Sequence, residues 1–226
     1  MKEELKAHLE ELRKLSSGVK NMGKQLHAIT PNFYAFDLFL IAALNRTINI
    51  NKAFTELIES NNFIAAGPLV RINLDTLLRM YAAQLSNLEK NHFAQKVIHG
   101  EKRINDLKSF ERGDNGKLKN LSDNFLKKSL SKIEGYEWVE EIYDVGSSYI
   151  HLDSKIFFAS RKFNNEKKKT VSLTIGYHDS FIDQDEKTGA AFWMLQITSG
   201  IINQGKLWIS EKANEFNFDI EKLNNL

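Results

Sequence analysis

The chain has 226 residues, 42% of them hydrophobic and 27% charged, and a formal net charge of +2. That length buries a substantial core, with one domain over 1–226 as the default. So small a net charge does not by itself call for a nucleic-acid partner. Cysteine is absent, which excludes disulfides, Cys-ligated zinc or iron–sulfur sites and a thiol nucleophile, and fits a reducing compartment. The start Met1-Lys-Glu-Glu-Leu-Lys lacks the apolar stretch of a signal peptide. The most apolar run, Phe33 to Leu44, is broken by Asp37 and falls short of the roughly 20 residues that span a bilayer. The expectation is a cytoplasmic protein with no membrane partner.

Two prolines in the whole chain argue for long uninterrupted helices. Leu5, Leu9, Leu12, Leu15, Val19, Met22 and Leu26 form one apolar stripe, which predicts a helix over 3–28. Thr30-Pro31 reads as an N-cap followed by a first helical position, and starts a second helix that runs to Glu59. Its first half is apolar nearly all round, from Phe33 to Ile41, so it is expected at the centre of the bundle. Ser60-Asn-Asn62 is a turn. A third helix follows to about Leu88, with a kink or restart expected at Gly67-Pro68.

Residues 90–135 form a more polar, basic excursion, with ten Lys/Arg against five Asp/Glu between 96 and 132. Two or three shorter helices fit it, the last from Ser122 to Ile133, around a Gly113-Asp-Asn-Gly116 loop. With few interleaved aromatics, this stretch reads as a solvated face more than as a nucleic-acid platform. Another helix spans Trp138 to Tyr149. The period then changes. Residues 155–163 and 170–177 are rich in β-branched and aromatic residues and predict a β-hairpin within 155–178. Residues 187–214 return to helix, and the polar last dozen residues are expected to fray. The fold class is therefore mainly α: a helical bundle with a small β-hairpin inserted before the C-terminal helix.

Two stretches place ionisable side chains in apolar sequence: Pro68-Leu-Val-Arg-Ile-Asn-Leu-Asp-Thr-Leu-Leu-Arg-Met-Tyr81 and Ser147-Ser-Tyr-Ile-His-Leu-Asp-Ser154. On a helix, Asp75 and Arg79 lie about 40° and 80° round from Arg71, so the three charges form one stripe beside an apolar face. Such a stripe is either an ordinary salt-bridge ladder or an anion site, for which the planar guanidinium fork is suited. His151, at a helix-to-strand junction, is either a packed structural histidine or a general acid or base whose tautomer Asp153 fixes; Asp153 equally suits a turn. His92 and His99 lack a carboxylate to complete a metal pattern. There is no Walker-type loop, dinucleotide glycine fingerprint, His-Glu-x-x-His or Gly-x-Ser-x-Gly, so neither a metal nor a cofactor is called for.

With Pro-Leu-Val-Arg-x-x-x-Asp-Thr-x-x-Arg and Ser-Ser-Tyr-Ile-His-x-Asp, the chain resembles uncharacterised prokaryotic helical proteins allied to the HEPN-like superfamily, over about residues 30–215. The resemblance implies a helical bundle, often dimeric, tied to phage defence or toxin–antitoxin systems. Its active members are metal-independent ribonucleases with an Arg-x4–6-His motif. No Arg lies four to six residues upstream of His151, so the chemistry would have to be assembled across helices.

The leading expectation is a defence or stress protein, a homodimer, whose polar site binds or cleaves RNA or a nucleotide. His151 and Arg71 would be catalytic, with Arg79, Asp75 and Asp153 binding the ligand. The rival is a non-catalytic interaction or scaffold protein, antitoxin-like, in which the same residues form a structural polar network. Convergence of His151 and the stripe on an open cleft would favour the first; separation and mutual pairing would favour the second.

Overall fold

The computed structural model describes residues 2–151, 159–165, 170–176 and 178–225. It is 69% helical. In chain order the helices are α1 (Glu3–Ile29), α2 (Ala35–Glu59), α3 (Phe63–Leu85), α4 (Lys90–Ile98), α5 (Asp123–Leu130), α6 (Val139–Ile150) and α7 (Gln184–Glu215). The predicted hairpin is present before α7, as β3 (Arg161–Asn165) paired antiparallel with β4 (Thr170–Leu173), Arg161 opposite Leu173 and Phe163 opposite Val171. The first four residues of the expected first strand, 155–158, lie outside the described residues, and β3 begins at Arg161.

The stripe from Leu5 to Leu26 builds α1 as its spacing requires: Leu5, Leu9, Leu12, Val19, Met22 and Leu26 are all buried. The central helix, however, is α3 and not α2. α3 packs against α2, α4, α5, α6 and α7 and buries residues on every side, among them Phe63, Val70, Leu74, Leu77, Leu78 and Tyr81. α2 leaves Leu38 50% exposed despite its apolar surroundings in sequence. Apolarity all round marked the right kind of helix but could not say which faces its neighbours cover.

Several boundaries differ from expectation. α2 begins at Ala35, because Asp37 accepts the Tyr34 N–H at 2.8 Å and supplies the cap; the Thr30 hydroxyl accepts the Asn32 N–H at 3.2 Å in a local turn instead. α3 runs through Pro68 without a restart. The basic excursion holds α4 and α5, in keeping with two or three short helices, and adds a second hairpin that was not expected. In it β1 (Lys108–Arg112) pairs with β2 (Leu118–Asn120) across the Gly113–Gly116 turn. Gly116 takes a φ of 73°, which only glycine adopts without strain. The tail forms a 3-10 segment, Ile220–Asn225, held by the buried Leu223 and by the Gln25 side chain, which donates to the Leu223 carbonyl at 3.2 Å. Among the described residues, no helix is long and apolar enough to cross a membrane.

Candidate functional site

The stripe on α3 does form a site, centred on an acid that sequence reasoning passed over. Asp123, at the first turn of α5, accepts from Arg79 Nη2 at 2.5 Å and from the Tyr143 hydroxyl at 3.1 Å, and lies 3.7 Å from Arg71 Nη2. Arg79 also pairs with Asp75 at 2.8 Å and donates to Asn105 Oδ1. Asp75 meets Arg46 of α2 at 3.5 Å. Arg71 does not pair with its neighbour Asp75. It turns the other way, and its guanidinium lies 3.7 Å over the Tyr143 ring, a stacking worth about 0.5–2 kcal/mol. Lys127 covers the same ring at 4.7 Å and pairs with Asp144 at 2.6 Å.

Burial alone would raise the Asp123 carboxyl. The hydrogen bond and charge of Arg79, the Tyr143 hydroxyl and the charge of Arg71 outweigh it and hold the group below its ordinary value. Asp75 and Asp123 are each shared between two arginines, while the buried Nε of Arg71 has no hydrogen-bond partner among the described residues, and the groups come from α2, α3, α5 and α6. The function of this network within the fold is to fasten the short helices α5 and α6 onto α3.

The close approach of α6 depends on glycine. A Cβ at Gly146 would meet Arg71 Cβ at 2.9 Å, and one at Gly67 would meet the Tyr149 ring at 3.1 Å. These contacts make α6 antiparallel to α3, with Tyr143 and Gly146 beside Arg71 and Tyr149 beside Gly67 and Phe63.

His151 caps the C-terminus of α6 with an exposed side chain. Among the described residues its ring has no hydrogen-bond or ion-pair partner. The helical rise puts it about 8 Å beyond Gly146 in one direction and Arg79 about 12 Å beyond Arg71 in the other. Arg71, Asp75 and Arg79 are therefore brought together in one network, and His151 is not. Asp153 lies outside the described residues. Among the described residues, no group of three His, Asp or Glu side chains could hold a metal.

Two further polar centres went unread in the sequence. Lys212 is fully buried and pairs with Asp37 at 2.6 Å, while Trp208 Nε1 donates to the same carboxylate at 2.7 Å. Lys187 is buried against Asp179 at 2.9 Å and donates to Asn61 Oδ1; Asp179 accepts the Phe63 N–H at 2.7 Å and so caps α3. One signal existed. Lys187, Ala191, Met194, Thr198, Ile201, Trp208 and Lys212 share the core phase of α7, so both lysines had to find acids. Which acids was not written locally. Comparison with known protein families, with curated proteins and with solved structures gives no significant match to this chain.

Proposed function

We propose that this chain is a non-catalytic helical interaction protein, in which Arg71, Asp75 and Arg79 hold its own helices together. One observation carries this reading: the stripe is engaged by internal pairs, Arg71 and Arg79 with Asp123 and Asp75 with Arg79 and Arg46, while His151 stands at the opposite end of α6. A general acid or base must come within hydrogen-bond reach of the group it serves, and the guanidinium of Arg79 is already engaged by Asp75, Asp123 and Asn105. With single-stranded RNA and with nucleoside triphosphates the purified chain is expected to show neither cleavage nor saturable binding. Asp123→Ala is expected to lower the unfolding midpoint. RNA cleavage or nucleotide binding that is lost in His151→Ala or Arg71→Lys, at an unchanged midpoint, would overturn the reading.

A HEPN-like defence protein that binds RNA or a nucleotide is the second reading, and one observation favours it. Three guanidiniums, Arg46, Arg71 and Arg79, share two carboxylates, Asp75 and Asp123. The network thus keeps one positive charge in surplus, and its most exposed cation is Arg46. The same two assays separate the readings.

A further inference from the structure

Arg46 and Arg79 border a cleft of about 530 Å³ between α2, α3 and the Val97–Ile104 segment. Ala42, Ala43 and Thr76 line it with small side chains, and Leu38 and Ile98, 50% and 47% exposed, stand at its mouth. Leu38, Ala42 and Arg46 are all exposed at i, i+4 and i+8 of α2, so they form one ridge, apolar at one end and cationic at the other. The sequence of α2 is apolar on a side that the fold leaves uncovered. The ion pair of Arg46 with Asp75 is long, 3.5 Å, and its side chain is 45% exposed, so that the charge surplus of the network faces this cleft.

We infer that the cleft receives an amphipathic helix of a partner protein, which seats apolar side chains on Leu38, Ala42 and Ile98 and sets a carboxylate against Arg46. The inference rests on the interaction reading above and names the partner's chemistry. Three arguments select this occupant. A small ligand is typically enclosed over about 70–90% of its surface, which walls as open as Leu38 and Ile98 do not provide. The cleft is bordered by helices and by the short segment after α4, and offers no strand edge for an extended peptide to pair with, so side-chain packing at helical spacing is the mode available. A second copy docked about a two-fold axis would meet this cleft with the same residues, and the lining holds no carboxylate to set against Arg46.

The test uses three synthetic helical peptides of roughly 18 residues, with Leu at i, i+4 and i+7. They differ only in the residue meant for Arg46: Glu, Gln or Lys. Fluorescence anisotropy at low salt is expected to rank affinity Glu, then Gln, then Lys, with about tenfold between the extremes. Arg46→Glu is expected to reverse the ranking. Leu38→Lys combined with Ile98→Lys is expected to abolish binding of all three at an unchanged thermal midpoint, because both positions are half exposed. Absence of binding, a ranking indifferent to charge, or binding that survives the double substitution would each overturn the proposal. So would a sedimenting mass of two chains that falls to one in the double variant, which would assign the face to a second copy. Saturable binding of decanoate without peptide binding would assign it to a small amphiphile and equally overturn the proposal. These outcomes leave the role of the stripe to the RNA and nucleotide assays, so the two readings fail separately.

Discussion

Asp123 shows how one residue decides what a stripe of charges does. Among the described residues its carboxylate is the only one that both Arg71 and Arg79 reach, and replacing it by Ala leaves Arg71 without a paired anion and Arg79 with Asp75 alone. Asp123→Ala is expected to cost about 1–3 kcal/mol in urea unfolding. The pH dependence follows from the direction of its shift. The folded carboxyl lies below the ordinary value of 3.8, so its contribution is complete above the ordinary carboxylate range and is lost as pH falls through the folded value. The stability difference between the native chain and Asp123→Asn should therefore be level at about pH 5–7 and shrink below 3.8. A difference that stays constant into strong acid would show that the carboxylate is not held by these cations. Glycines make a second test at this scale. Ala at Gly146 would gain about 1 kcal/mol of helix propensity, but its Cβ would sit 2.9 Å from Arg71 Cβ and 3.4 Å from Arg71 Cα. Those atoms belong to the main-chain end of the side chain and cannot swing away, so overpacking wins. Gly146→Ala is expected to lose about 1–2 kcal/mol net. Gly18→Ala, with open space round the new methyl at an exposed position of α1, should instead gain about 0.5–1 kcal/mol.

Among the elements, α7 is the fastener of the bundle. Its two buried lysines, near opposite ends of the helix, pair with Asp37 in the first turn of α2 and Asp179 at the start of α3. Each acid also receives a backbone N–H of the helix start it serves, and the positive end of the helix dipole favours a carboxylate there. Lys212→Met alone leaves Asp37 charged and buried, at a cost of about 3–5 kcal/mol. Adding Asp37→Asn removes the stranded charge, so the double variant should be more stable than Lys212→Met alone in guanidinium unfolding. If the double variant is the weaker of the two, the pair is not coupled as the geometry requires. This scale was the most legible in the sequence. The periods of α1, α3, α6 and α7 located them to within a few residues, and the alternation of Thr170–Leu173 located β4. β1 and β2 were missed because they are short, lysine-rich and only half covered, with Ser109 buried and Phe110 exposed, so that no apolar alternation announces them. The start of α2 was misplaced because Thr30-Pro31 carries the local signature of a cap, whereas Asp37 wins through its contacts with Lys212 and Trp208 far along the chain.

At the scale of the molecule, the hydrophobic core is one continuous cluster from Leu5 to Leu223. The basic excursion contributes Phe93, Leu107, Leu121, Leu126 and Leu130 to it, so it should not melt by itself. Far-UV circular dichroism and tryptophan fluorescence should give coincident urea transitions, Trp138, Trp193 and Trp208 reporting from α7 and the start of α6. Two separated midpoints would mean that α4, α5 and the β1–β2 hairpin unfold independently. What the sequence by itself determined was the helical class, the hairpin before α7 and the alignment of Arg71, Asp75 and Arg79, because each follows from a period along the chain. What only the tertiary structure decided was the direction those side chains face. Arg71 turned to Tyr143 and Asp123, His151 was carried to the other end of α6, and the apolar side of α2 was left open beside Arg46. Ion-pair partners and burial depend on which surfaces meet, and that is set by the packing of helices distant in sequence, which no local spacing encodes.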